Sequence, residues 1–317
     1  MTENKFNIKD TILAVDINEA TQAVKENRFK DATKLLEINL IEHPDHIDSL
    51  YLAGVCSRYL KEFDDAIKYI ESLLLHAPDM GRAYQELAHI NRDMGNEEKS
   101  ISNYRQACEL NPALISSWMS LYEYFKKNNN KPALDHATEQ INKLQSLPNM
   151  LLYIDQVMNE GRLGVAELKC REFLKKNPTH TYAMSQLSEI ANRLGHFDDA
   201  ELLLEKAVQF NPDDGELRMK YALVLRKEQK FAKTMEQVNI LCDKYPDNLA
   251  YQAQKASEIM QNGQHEDAID LFDDILIKNP HNFSTYTSKG HALKTLGKTD
   301  DAIESYKSAY KIRPDHG

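Results

Sequence analysis

Eight of the ten prolines in this 317-residue chain fall at one phase of a 34-residue period. Pro44, Pro78 and Pro112 are each 34 residues apart, and Pro178, Pro212, Pro246, Pro280 and Pro314 repeat that step. Proline lacks an amide proton and disfavours helix in the residue before it, so each of these positions closes a helix. A unit of this length cannot bury an apolar face by itself and becomes stable by stacking on its neighbours. The spacing therefore predicts one elongated array, although the length alone would allow two ordinary domains.

Counting back from each proline gives nine units, starting at Leu13, Ile47, Gly81, Ile115, Leu147, Thr181, Gly215, Leu249 and Phe283. The gap from Pro112 to Pro178 is 66 residues, two short of two periods. The eighth position is Ala20, Gly54, Ala88, Tyr122, Ile154, Ser188, Ala222, Ala256 and Gly290. The twentieth is Ala32, Ala66, Ser100, Ala166, Ala200, Thr234, Ala268 and Ala302 in all units but the fourth. Phe29, Phe63, Phe197 and Phe231 share the seventeenth position, and Gly95, Gly161, Gly195, Gly263 and Gly297 recur in mid-unit. Each unit thus reads as two short helices joined by a turn, with small residues where the helices approach. The last unit shows this most cleanly. Gly297 ends its first helix, and Asp300 and Asp301 open the second at its positive end.

The pattern resembles the tetratricopeptide repeat over residues 13–316, with Tyr84 and Trp118 on that family's aromatic fourth position. The resemblance implies an all-α fold, a right-handed α-α superhelical solenoid of about nine tetratricopeptide repeats. Residues 1–12 are expected to be an N-terminal lead-in, 13–146 units 1–4, and 147–317 units 5–9 of one continuous array. An irregular junction is expected near 128–148, where Asn128-Asn129-Asn130-Lys131-Pro132 makes the turn and Pro148 replaces the closing proline.

A net charge of −10 disfavours nucleic acid and anionic membrane as partners. The N-terminus carries acids early and lacks the long apolar core of a secretory signal, and no stretch is apolar enough to span a bilayer. Cys56, Cys108, Cys170 and Cys242 are scattered and read as reduced core thiols, which suits a cytoplasmic protein.

No catalytic, cofactor-binding or metal-binding residues are expected. The run Gly290–Thr299 resembles a phosphate loop ending in Gly-Lys-Thr, but six residues separate its glycines where that loop needs four. His43-Pro44-Asp45-His46 fills an inter-unit turn, as Pro314-Asp315-His316 does later. The pairs Asp64-Asp65, Asp198-Asp199 and Asp300-Asp301 open second helices and are not acid–base pairs.

Binding remains. In the repeat family, positions 2, 5, 9, 12 and 13 of the first helix line the groove. Nine of the eighteen residues at positions 12 and 13 are basic here and one, Asp93, is acidic. The candidate groove residues are Arg58, Tyr59, Arg82, Gln85, His89, Arg92, Met119, Lys126, Lys127, Arg193, Arg226, Lys227 and Lys294. A basic spine on an acidic chain steers an acidic, extended protein or peptide segment inward. The lysine–asparagine clamp of chaperone-tail binders and the asparagine ladder of O-linked N-acetylglucosamine transferases are both missing.

From about Leu144, LPNMLLYIDQVMNEGRLGVAELKCREFLKKNP and later GHALKTLGKTDDAIESYKSAYKIRPDHG are similar to bacterial repeat-containing sulfotransferases. That resemblance implies an N-terminal substrate-recruiting region, with the donor PAPS bound by a C-terminal catalytic domain outside this sequence. The last unit has no capping helix, so a self-associating adaptor joined through that edge is the third expectation.

Overall fold

A computed structural model describes residues 8–314, with residues 8–16 described by their backbone alone. Residues 1–7 of the expected lead-in and the closing Asp315, His316 and Gly317 lie outside the described residues. Eighteen helices and no strand occur among the described residues. The first helices of the pairs are α1 (Ile8–Lys25), α3 (Ile47–Tyr59), α5 (Gly81–Asp93), α7 (Ile115–Lys127), α9 (Asn149–Asn159), α11 (Thr181–Arg193), α13 (Gly215–Lys227), α15 (Leu249–Gln261) and α17 (Phe283–Thr295). The second helices are α2 (Phe29–Glu42), α4 (Phe63–His76), α6 (Glu97–Leu110), α8 (Lys131–Gln145), α10 (Leu163–Lys176), α12 (Phe197–Phe210), α14 (Phe231–Lys244), α16 (His265–Lys278) and α18 (Thr299–Ile312). The expected all-α array of helix pairs is the observed fold. The chain forms two compact units, Met1–Lys169 and Cys170–Gly317.

Each connection follows from its residues. Second helices end two residues before the periodic proline, as the restriction on the residue preceding proline requires. Where the last residue of the connection is polar it caps the next first helix: His46 accepts from the Ser49 amide, His180 from Ala183, Asp214 from Leu217 and Asn282 from Thr285, whereas Met80, Leu114 and Pro148 give no side-chain cap. His46 of the His-Pro-Asp-His run is therefore a helix cap.

Within every pair the turn has three residues, and the middle one is left-handed, with φ between 53° and 86°. Glycine fills it five times and asparagine twice; Lys61 and Gln229 hold the same conformation with a full side chain. A left-handed non-glycine residue is strained by about 1–2 kcal/mol, partly offset by the entropy glycine loses on folding. Lys61→Gly and Gln229→Gly are each expected to raise stability by about 0.5–1 kcal/mol, and Gly263→Ala to lower it by about 1. Urea midpoints of the full chain check this, and a lower midpoint for Lys61→Gly would contradict it.

The core of each unit lies between the two helices of a pair and the next pair. In the first unit Ala66, Ile70, Leu73, Met80, Ala83 and Ile90 form one buried cluster, and Ala88, Tyr104, Cys108, Leu121 and Phe125 the next. In the second unit Ala200, Leu204, Ala207, Leu217, Tyr221 and Leu225 do the same. Positions 8 and 24 meet inside a pair. A Cβ on Gly54 would lie 2.5 Å from Ile70 Cδ1, and one on Gly290 would lie 2.6 Å from Tyr306 Cε1. The small eighth position is thus a steric requirement set by the residue across from it.

The irregular step in the sequence is taken up around α9. Helix α8 has 15 residues, the connection is Ser146-Leu147-Pro148, and α9 has 11. Most of the two-residue shortening therefore falls in α9, against 13 residues in α7. The end of α9 docks on the connection before α7. Asn111 Nδ2 donates to the Gln156 carbonyl (3.1 Å), Gln156 Nε2 to the Ala113 carbonyl (3.0 Å), and Asn159 Nδ2 to Asn111 Oδ1 (3.3 Å).

Candidate functional site

The expected groove residues stand on first helices, and the two compact units carry separate sets. In the first unit Arg58, in the last turn of α3, reaches across to α5. Its Nε lies 2.5 Å from Glu86 Oε1 and its Nη1 3.3 Å from Asp93 Oδ2. The Arg58 side chain is 10 % exposed and that of Glu86 4 %. Tyr59 is 53 % exposed; its ring stacks on Phe29 at 4.4 Å, and the Arg58 guanidinium packs against it at 4.4 Å. Arg58 is thereby fixed from both sides and is largely withdrawn from solvent.

Arg92 sits one unit on and donates to Asp93 Oδ1 (3.1 Å) and to the Tyr104 hydroxyl (3.3 Å). Arg82 pairs with Asp48 (3.2 Å) and Glu160 (3.1 Å) and lies over the Tyr51 ring. Gln85 Nε2 donates to the hydroxyls of Ser116 (2.7 Å) and Ser117 (2.9 Å), which ties α5 to α7. Met119 is 50 % exposed on α7. Lys127 pairs with Glu97 at 2.8 Å, and Lys126 lies 5.7 Å from the Tyr122 ring. Most cations of this face thus have a carboxylate partner on a neighbouring helix.

The second unit repeats the theme. Arg193 donates to Glu189 Oε1 at 2.8 Å, and Arg226 lies 3.4 Å from the buried Glu258. Lys227 donates to Asn192 Oδ1 at 3.0 Å. Lys294 is exposed in the last turn of α17. The partners missed by sequence reasoning are Glu86 and Glu258. Both are carboxylates on the first helix of the unit after an arginine at position 12, but at different positions of that helix, so the 34-residue period alone does not find them.

His89 is a half-buried titratable group of this face. Its Nδ1 is 2.7 Å from the Tyr104 hydroxyl, and its ring meets the Tyr104 ring edge-on. Burial, with Arg58 and Arg92 beside it, lowers its pKa from 6.5 to about 4. The unfolded chain therefore takes up this proton first as pH falls, and the folded state loses stability between about 6.5 and 4. From pH 7.5 to 5 the loss from this group reaches about 2 kcal/mol. The Glu86 carboxyl, raised by burial against the pull of Arg58, works with the opposite sign. The prediction is therefore differential: His89→Gln should remove about 2 kcal/mol of pH dependence, read as hydrogen exchange of the α5 and α6 amides. Equal pH slopes in the two proteins would refute it.

Elsewhere the chemistry is that of packing. Burial pushes the Cys56 thiol up to about 11 and Cys108 up to about 12, away from thiolate reactivity. Gly297 ends α17 with φ +76° and Thr299 starts α18, so the Gly-Lys-Thr run is a helix turn. Asp198, Glu201 and Glu228 converge as a carboxylate group, but Lys230 sits on Glu201 and on Glu228, and Lys233 on Glu201 at 3.2 Å. The ammonium groups already supply the positive charge there. No helix among the described residues is long and apolar enough to cross a membrane.

No curated protein matches the sequence. Among solved structures, a crystal structure of MamA is 17% identical with a TM-score of 0.46, covering 51% of this chain and 94% of that one. YrrB, described as a TPR protein with an unusual peptide-binding site, is 16% identical with a TM-score of 0.44, covering 56% of this chain and 93% of that one. MamA from Desulfovibrio magneticus RS-1, from residue 41 to its end, is 12% identical with a TM-score of 0.47, covering 54% of this chain and 100% of that one. Likenesses this weak carry no functional argument. Family models of the tetratricopeptide repeat match residues 48–79, 81–114 and 283–316. These stretches coincide with the helix pairs α3–α4, α5–α6 and α17–α18, and it is these three pairs that match the tetratricopeptide repeat.

Proposed function

We propose that this chain is a non-catalytic scaffold that binds a protein or peptide segment across its first-helix faces. The observation that supports the reading most is the face of α3, α5 and α7. Tyr59 and Met119 stand half exposed there, while Arg58, Gln85 and Arg92 between them are held by bonds to neighbouring helices. Exposed apolar side chains set in a rigid polar frame are what a binding surface needs, because little ordering is left to do on association. An acidic, extended segment is the preferred ligand in this proposal. Arg92, Lys126 and Lys127 face solvent and supply the attraction, Arg92 and Lys127 from exposed ion pairs with Asp93 and Glu97, whereas Arg58 and Arg82 are held against the buried side chains of Glu86 and Glu160.

Matched extended peptides that differ only in glutamate against glutamine, titrated against the full chain by fluorescence anisotropy, test this. The glutamate peptide is expected to bind about tenfold tighter at low salt, with the gap closed in Lys126→Glu/Lys127→Glu. Equal affinities end the acidic preference. Unchanged binding of both peptides to Tyr59→Ala/Met119→Ala ends the assignment to this face. The acceptor-recruiting role beside a PAPS-dependent domain rests on the sequence resemblance alone.

A further inference from the structure

The turn between α9 and α10 encloses a cavity of about 670 Å³ against the connections that precede α3 and α5. The hydrogen bonds from Gln156 and Asn159 to the 111–113 segment hold this turn in place. The cavity lies apart from the first-helix groove residues Tyr59 and Met119, and its size is that of a ligand pocket. One wall is apolar, built by Ile47, Pro78 and Met80.

The charged lining is unbalanced. Asp45, Asp48, Asp79 and Glu160 face two guanidinium groups, Arg82 and Arg162. Both arginines are in ion pairs, Arg82 with Asp48 and Glu160 and Arg162 with Asp48 at 3.9 Å, although Arg82 Nε makes no hydrogen bond among the described residues. Asp45 and Asp79 are exposed and make no ion pair among the described residues. Glu160 is the unusual member. Its side chain is 4 % exposed, Oε1 meets Arg82 Nε, and Oε2 has no hydrogen-bond partner among the described residues. A buried carboxylate oxygen without a donor carries its full desolvation cost, and a donor brought in by a ligand relieves it. Burial accordingly raises the Glu160 pKa, with Arg82 pulling the other way. His46, which also lines the cavity, uses Nδ1 to accept from the Ser49 amide.

We propose that this cavity binds a cationic side chain, arginine or lysine, presented by a partner polypeptide. The aliphatic stem lies along Ile47, Pro78 and Met80, and the charged head is met by Glu160 with Asp45 and Asp79 at the rim. Lysine and arginine suit such a site because they bury an apolar stem while keeping a donor head for carboxylates. The site shares Arg82 with the first-helix face but takes a ligand of the opposite sign.

The test uses the full chain with labelled methionine and isoleucine methyl groups, titrated with N-acetyl-arginine amide, N-acetyl-lysine amide and the neutral N-acetyl-citrulline amide. Saturable shifts of the Met80 and Ile47 methyl signals are expected for the two cationic probes, with citrulline about tenfold weaker. Asp45→Asn/Asp79→Asn, both at exposed positions, is expected to weaken the cationic probes by about fivefold or more and leave citrulline unchanged. Glu160→Gln is the stronger change, and the rim variant keeps the test decisive if that protein fails to fold. Absent shifts at Met80 and Ile47, equal binding of citrulline and arginine, or an unaffected rim variant would each overturn the proposal.

Discussion

Replacing Arg58 by methionine is expected to cost the first compact unit about 3–5 kcal/mol of local stability, and the double variant Arg58→Met/Glu86→Leu to recover most of it. The single change strands Glu86, whose carboxylate is almost wholly buried and has Arg58 Nε as its close cationic partner. Burial already pushes the Glu86 carboxyl up, and Arg58 is the largest influence pulling it back. Without the arginine, that group either stays charged in a poor medium or takes a proton at neutral pH. Removing both charges leaves an apolar contact of similar volume, which is often as stable as the pair it replaces. Asp93 keeps Arg92 as a second partner at 3.1 Å and is the less affected carboxylate. Hydrogen exchange of the α3 and α5 amides reads the local effect in a repeat array, where unfolding is not two-state. The same experiment separates two roles for position 12. If Arg58 serves chiefly to contact a ligand, the single variant keeps its protection and loses only peptide affinity.

Much of the fold was legible because it is periodic. The prolines fixed where second helices end, the small residues fixed where helices approach, and five glycines marked the turn. At Lys61 and Gln229 the turn is the same but its residue gives no signal, and only the common length of the neighbouring helices implies it. Where it is polar, position 34 carries the cap of the next helix, yet histidine and asparagine do this as well as aspartate, so residue type alone hid the rule.

The candidate site was less legible, for a physical reason. Phase tells which helix face a residue occupies, whereas charge pairing depends on which neighbour carries the opposite charge. Arg58 and Arg226 share position 12, but the first meets Glu86 at position 6 of the next unit and the second Glu258 at position 10. Counting nine bases at positions 12 and 13 located the face and overlooked both carboxylates. Similarly, the two-residue deficit before Pro178 marked a disturbed step. That the α9–α10 turn comes to rest near Asp48 and Arg82 depends on side chains from four segments, a tertiary outcome with no local signature.

Tyr104→Ala should be the most damaging single change inside a pair, at about 3–5 kcal/mol. Its side chain is among the largest that are fully buried, and its hydroxyl serves both His89 and Arg92. Truncation leaves a cavity against Ala88, Leu121 and Phe125, which share its cluster, and deprives the half-buried His89 ring of its partner. The chain itself indicates how to repair it. Gly54 faces Ile70 and Gly290 faces Tyr306, whereas the two units with a large eighth residue, Tyr122 and Ile154, carry the smaller Thr138 and Cys170 at position 24. In those two units a large residue on the first helix goes with a smaller one on the second. Carrying the fifth unit's choice into the third, as Ala88→Ile/Tyr104→Cys, should therefore recover about 1–2 kcal/mol relative to Tyr104→Cys alone, the polar contacts of His89 remaining lost. Ala88→Ile on its own should be destabilising, because Tyr104 already fills the space. A double-mutant cycle on the hydrogen-exchange protection of the α5 and α6 amides measures the coupling. If the two effects simply add, position 8 is small for a reason other than the residue across from it, and the steric account of the repeat is wrong.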